Sequence, residues 1–111
     1  MSARAIKRTS GTSAANAPIT VSDASPQARR FLYATIVYSA TVTQTPTLRL
    51  NSALGAAFDA ELGSIAITVT EGLIIPTHDE IMILGDDVFD VLAPAGGVGI
   101  TASVAIYSEL V

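Results

Sequence analysis

The sequence predicts an all-β domain, a small β-sandwich of jelly-roll type carrying an extended N-terminal arm. Three observations lead there. Short segments rich in β-branched and aromatic residues recur along the chain, turn residues separate them, and no segment sustains a 3.6-residue apolar period. That pattern is the signature of a sandwich or jelly roll. The 111 residues suffice for one domain; half are hydrophobic and only 14% are charged, below the usual share of about a quarter. So apolar a small body implies a generous core or surface covered by neighbouring subunits.

Taken in order, residues 1–17 (MSARAIKRTSGTSAANA) are rich in Ser, Ala, Thr and Gly with an isolated Ile6. They have no hydrophobic period, so they are expected as a flexible basic arm, with residues 18–111 forming the single domain. Pro18 opens the short extended piece PITVSD, and turn signals surround Pro26. FLYATIVYSATVT, residues 31–43, places Phe31, Tyr33, Thr35 and Val37 on one face and Leu32, Ala34, Ile36 and Tyr38 on the other. Both faces are apolar, which suits a central strand covered on both sides. TLRLN after Pro46 turns Leu48 and Leu50 one way and Arg49 the other.

NSALGAAFD is read as one helical turn or an irregular crossing, capped at Asn51 or Ser52 and stopped at Gly55. SIAITV, residues 64–69, alternates Ile65, Ile67 and Val69 with the small residues Ser64, Ala66 and Thr68, the mark of a half-buried strand. Glu71-Gly72 reads as a turn, LII as a short strand ended by Pro76, and EIMIL, residues 80–84, as another. VFDVLAP follows the turn Gly85-Asp86-Asp87. After the tight turn Ala95-Gly96-Gly97, the chain returns with Ile100, Ala102, Val104 and Ile106 on one face.

Charge is unevenly distributed. Residues 1–30 hold five cations (Arg4, Lys7, Arg8, Arg29, Arg30) against Asp23, whereas residues 31–111 hold Arg49 against nine acids. A basic arm on an acidic body suits an acidic surface or another copy of that body. Direct nucleic-acid binding is not expected, because the body repels phosphate and lacks interleaved aromatic and basic residues. With no cysteine, disulfides and thiolate metal sites are excluded. No apolar run approaches the roughly 20 residues of a membrane helix, and no apolar stretch follows the first cations as in a signal peptide. A soluble protein is expected.

Chemistry is sparse. His78 lies in PTHDE beside Asp79 and Glu80, where a base or ligand is conceivable but a polar loop is the simpler reading. Asp86, Asp87 and Asp90 form the best candidate cation site, yet they lack the oxygen spacing of a calcium loop and read as a turn followed by an outward Asp90. Gly96-Gly97-Val98-Gly99 lacks the following helix and lysine of a phosphate loop, so it reads as hairpin chemistry. No serine sits in a nucleophile elbow. Tyr33, Tyr38 and Tyr107, without any Trp, read as core or interface residues more than as a sugar platform. No enzyme, metal or cofactor is expected.

FLYATIVYSATVT, TLRLNSALGAAFDAEL and GDDVFDVLAPAGGVGITASVAIYSEL together resemble small virion structural proteins of tailed bacteriophages, of the capsid decoration (cement) type, over roughly residues 20–111. The resemblance implies a β-rich subunit on the head exterior, commonly a homotrimer, bound to the major capsid protein and without catalytic residues. It also implies an arm reaching over the shell. Arg4, Ile6, Lys7 and Arg8, with Arg29 and Arg30 at the base, are the expected attachment residues. A neck or tail component and a carbohydrate- or receptor-binding module are the alternatives.

Overall fold

The computed structural model describes residues 6–24, 26–51, 60–75, 81–83 and 87–110, with the side chains of 81–83 left aside. Among the described residues, nine strands run in chain order: β1 (Ile6–Thr12), β2 (Ile19–Ala24), β3 (Arg29–Tyr38), β4 (Thr47–Asn51), β5 (Ala60–Ser64), β6 (Glu71–Ile74), β7 (Ile81–Ile83), β8 (Val88–Ala93) and β9 (Ala102–Leu110). They form two antiparallel sheets. Sheet A has the order β1-β9-β3-β6, with β7 also pairing β3; sheet B has the order β2-β8-β4-β5. Because β9 pairs with β3 from Arg29 to Tyr38, β6 and β7 lie end to end on the opposite edge of β3.

This order has a simple origin. Each strand of the first half pairs with its mirror in the second: β4 with β5, β3 with β6 and β7, β2 with β8, and β1 with β9. The chain is one long antiparallel ribbon, doubled back and wrapped on itself, and the wrap adds the pairings β3–β9 and β4–β8. Counting β6 and β7 as one interrupted strand, that is a jelly roll. The expected fold class is the observed one.

The core lies between the sheets. Sheet A contributes Phe31, Ala34, Ile36, Tyr38, Ile74, Val104 and Ile106; sheet B contributes Val21, Leu48, Phe89 and Val91. Phe31 and Phe89 meet across the layers with ring centroids 5.4 Å apart, a tilted contact typical of aromatic pairs. Arg49 points outward and Leu48 is buried, as the alternation in TLRLN requires. Ala102, Val104 and Ile106 are likewise buried.

Several expectations are corrected. The residues assigned to a flexible arm include β1, whose seven residues pair with β9 from Ile6–Glu109 to Thr12–Ser103. None of these seven is buried, so the ladder and not a hydrophobic face holds the strand, which is why the composition concealed it. Glu71-Gly72 is the start of β6 and not a turn. SIAITV is not a regular strand: Gln44 and Ile67 make an isolated bridge, and Val69 is exposed. The strand nearby is β5, whose sequence AELGS has little β-propensity and relies on its pairing with β4.

The alternation along β3 also breaks. The register with β9 shifts between Phe31 and Tyr33, so Leu32 is a bulge residue. Phe31 therefore faces inward with Ala34 and Ile36, while Tyr33 and Val37 face out. The possible helical turn, His78 and Asp86 lie outside the described residues.

Gly96 closes one end of the core. A Cβ there would stand 2.6 Å from Ile100 Cγ2, 2.9 Å from Tyr38 Cδ1 and 3.1 Å from Val42 Cγ1. Gly96→Ala is expected to cost about 1–3 kcal/mol through overpacking, read as a lower urea midpoint. The neighbouring turn uses Gly97 at φ 121° and Gly99 at φ 75°, conformations that favour glycine, but it leads from β8 of sheet B to β9 of sheet A and so corrects the hairpin reading to a crossover between sheets. Tyr38 beneath it donates a 2.8 Å hydrogen bond to the Pro94 carbonyl.

Burial raises the Tyr38 phenol above its ordinary 10.0. Folding thus favours the neutral phenol, and this contribution is complete below the unfolded value of about 10 and lost as pH climbs through the raised folded value. Urea midpoints are expected to fall above about pH 10, and Tyr38→Phe should remove part of that alkaline fall.

Candidate functional site

The described residues among the expected attachment set stand in different surroundings. Asp23 follows Ile19 and Val21 on the inward side of β2 and is fully buried. Its Oδ1 accepts a 2.7 Å bond from Lys7 Nζ and its Oδ2 a 2.7 Å bond from Ser108 Oγ; Lys7 also donates to the Ala24 carbonyl. Arg29 alternates inward with Phe31 and is 0% exposed. It donates to the carbonyls of Gln27 (2.8 Å), Asp23 (3.0 Å) and Asp87 (2.7 Å), with Nε 3.5 Å from Asp23 Oδ1. Its guanidinium carbon lies 5.9 Å from the Phe89 ring centre.

Arg29 is therefore not a partner-binding residue, and Lys7 is committed to an internal ion pair. Arg30 donates to Glu109 Oε2 at 2.5 Å. Four strands and the residue before β8 meet in this buried network, which ties β1 to the domain. Ile6 and Arg8 face out, and Arg4 lies outside the described residues. Of the acidic group, Asp87 supplies a carbonyl to Arg29, and Asp90 accepts from Ser22 (2.6 Å) and Asn51 (3.5 Å). These partners make Asp90 an outward polar residue of sheet B.

The two outer faces differ. Sheet B carries Thr20, Ser22, Arg49, Glu61 and Asp90 outside, with Leu92 as its apolar exception. That is the normal solvated face of an antiparallel sheet. Beyond the row Ile6–Glu109–Arg30, whose two charges pair with each other, sheet A presents three rows across its strands: Arg8–Tyr107–Tyr33, then Ser10–Ala105–Thr35–Leu73, then Thr12–Ser103–Val37–Glu71. Tyr33 is 37% exposed, Val37 45%, Leu73 48% and the adjacent Ile75 60%.

Tyr33 and Tyr107 stand as parallel plates, centroids 4.5 Å apart and inclined by 26°. Beside them a groove of about 350 Å³ runs over Arg8, Ser10, Thr12, Thr35 and Val37. A second hollow, of about 460 Å³, lies between β3 and β6 over Thr35, Glu71 and Leu73. The hydroxyls of Thr12 and Ser103 satisfy each other at 3.1 Å. The face offers small residues, aromatic plates and one charge at each of two corners. Such a surface suits contact more than proton transfer.

Sequence reading missed this face because the bulge at Leu32 reassigns Phe31 to the core and leaves Tyr33 outside. The signal was present in a β3 segment apolar on both sides. No family model matches the chain, and no curated protein does. RmlC from Streptococcus suis, solved with dTDP-D-xylose, overlaps 94% of this chain at 8% identity and TM-score 0.37, with 43% of its own length covered. A ruminal GH26 endo-β-1,4-mannanase overlaps 87% at 12% identity and TM-score 0.41, with 19% covered. This chain thus spans less than half the length of either structure.

Proposed function

We propose that the protein is a structural, non-catalytic assembly subunit of a phage particle, of the capsid decoration type, which self-associates and binds the major capsid protein. The observation that carries the assembly role is the set of exposed apolar side chains on the outer face of sheet A, Tyr33, Val37 and Leu73, which lie on adjacent strands among small polar residues. A central strand apolar on both faces gains stability when a neighbour covers the second face. The virion setting is supported by the sequence resemblance. Self-association then uses the sheet face, with Ile6 and Arg8 at its margin, and strengthens head binding by presenting paired copies to the lattice.

The test uses heads of the phage that carries the gene, prepared without this protein. Added wild-type protein is expected to sediment with the heads at regular lattice positions. Val37→Glu combined with Leu73→Lys should leave the fold intact and weaken that binding at least about tenfold. Undiminished binding would reject the sheet face, and absence of wild-type binding would reject the capsid reading.

A second reading follows from the exposed tyrosine plates beside a groove: carbohydrate binding. It predicts retention on a glycan array that Tyr33→Ala abolishes, with no binding to heads.

A further inference from the structure

We infer that the outer face of sheet A pairs with the same face of a second copy of this chain, the strands of the two sheets crossing at nearly a right angle and Arg8 of each copy meeting Glu71 of the other. The inference rests on the reading of this face as a protein-binding surface and commits its occupant.

Arg8 and Glu71 are the charged residues in the three rows, and both are exposed. Among the described residues, neither makes an ion pair with another. They stand at diagonally opposite corners: Arg8 on β1 is in the Tyr33 row, and Glu71 on β6 is in the Val37 row. Three strand spacings of about 4.8 Å separate them in one direction, and four residues of about 3.4 Å in the other. The two offsets are nearly equal, roughly 14 Å each.

Two identical faces pack through a two-fold axis lying in the plane between them. An axis along the strands sets Arg8 over the neighbourhood of Ile75, and an axis across them sets it over Thr12. Only an axis perpendicular to the Arg8–Glu71 diagonal brings each arginine onto the other copy's glutamate, and it does so twice. Since the diagonal lies at about 45° to the strands, the sheets cross at about 90°, the orthogonal class of sheet packing. The same operation lays Leu73 of each copy over the Tyr33–Tyr107 plates of the other. Charge and apolar surface are thus matched by one arrangement.

A face of this extent buries roughly 400–500 Å² per copy, less than the ~800 Å² of a standard interface. The dissociation constant is expected on the order of micromolar, and crowding many copies onto one particle would raise occupancy. The solution unit is then a dimer and not the trimer that the resemblance implies.

Sedimentation equilibrium of the full chain tests the geometry. The wild type is expected to dimerise at micromolar concentrations. Arg8→Glu places two like-charged contacts in its homodimer, as does Glu71→Arg, and each should dimerise at least about tenfold more weakly. An equal mixture of the two variants should recover dimers, because both contacts in the mixed pair are again Glu–Arg. The double variant R8E/E71R should also recover them, with circular dichroism unchanged throughout.

A wild type that stays monomeric or forms trimers would overturn the inference, as would single variants that dimerise normally or a mixture that stays monomeric. Head binding is measured separately. A wild type that binds heads while staying monomeric would reject this pairing alone; charge-swapped dimers without head binding would reject the capsid reading alone.

Discussion

Arg29→Ala is expected to lower the unfolding free energy by about 3–5 kcal/mol, the usual consequence of removing one member of a buried ionic network. Arg29 is fully buried, and its guanidinium is the donor to the carbonyls of Gln27, Asp23 and Asp87. Truncation strips three acceptors of a donor inside the protein and leaves Asp23 with less compensation for its own desolvation. A domain of this size has a stability of roughly 5–15 kcal/mol, so the loss is about a fifth of it or more. Arg29→Lys keeps the charge but not the planar fork that reaches three carbonyls, and should fall between the two. Arg49→Ala on the exposed face of sheet B serves as the control and should change stability by about 0.5 kcal/mol or less. Urea unfolding measures all three, and a midpoint for Arg29→Ala no lower than that of Arg49→Ala would refute the network's importance.

Deletion of residues 2–17 has the second large effect. Read from composition, this segment is an arm whose loss leaves a folded domain. The structure leads to the opposite expectation. β1 caps one edge of β9 over seven residue pairs, and Lys7 completes the Asp23 site. Without them β9 becomes an edge strand of nine residues, Ala102–Leu110, with an open row of backbone donors and acceptors inviting pairing with another chain. The truncated chain is expected to aggregate or to unfold at a much lower urea midpoint. Size exclusion and unfolding decide the matter: a monomeric product of unchanged stability would return residues 2–17 to the status of an arm.

Some of the network was legible locally. Asp23 continues the inward series Ile19, Val21, and Arg29 precedes Phe31 by two, so opposite charges occupy core-facing positions on successive strands. Such charges are seldom buried unless paired. Read for periodicity as well as for charge, both residues belong to the interior. Arg8 and Lys7, by contrast, carry no such signal, because a Ser- and Thr-rich strand gives no indication of which side faces in.

Strand existence is a local property here. Alternation and β-branching in residues 31–38, 47–51, 88–93 and 102–110 identified the all-β class and most of the core, since burying one face of a pleated sheet demands a period of two. A turn at Gly97 was equally readable, because positive φ favours glycine wherever it occurs, but not that it leads from one sheet to the other. Three things were decided by tertiary structure alone. The ladder with β9 makes a strand of Ile6–Thr12 although no side chain in it is buried. The bulge at Leu32 sends Phe31 inward and Tyr33 outward. The wrapped ribbon brings Arg8, Tyr107, Val37 and Glu71 from four strands onto one face. All three depend on backbone pairing between residues far apart in the chain, and register of that kind leaves no local trace in sequence.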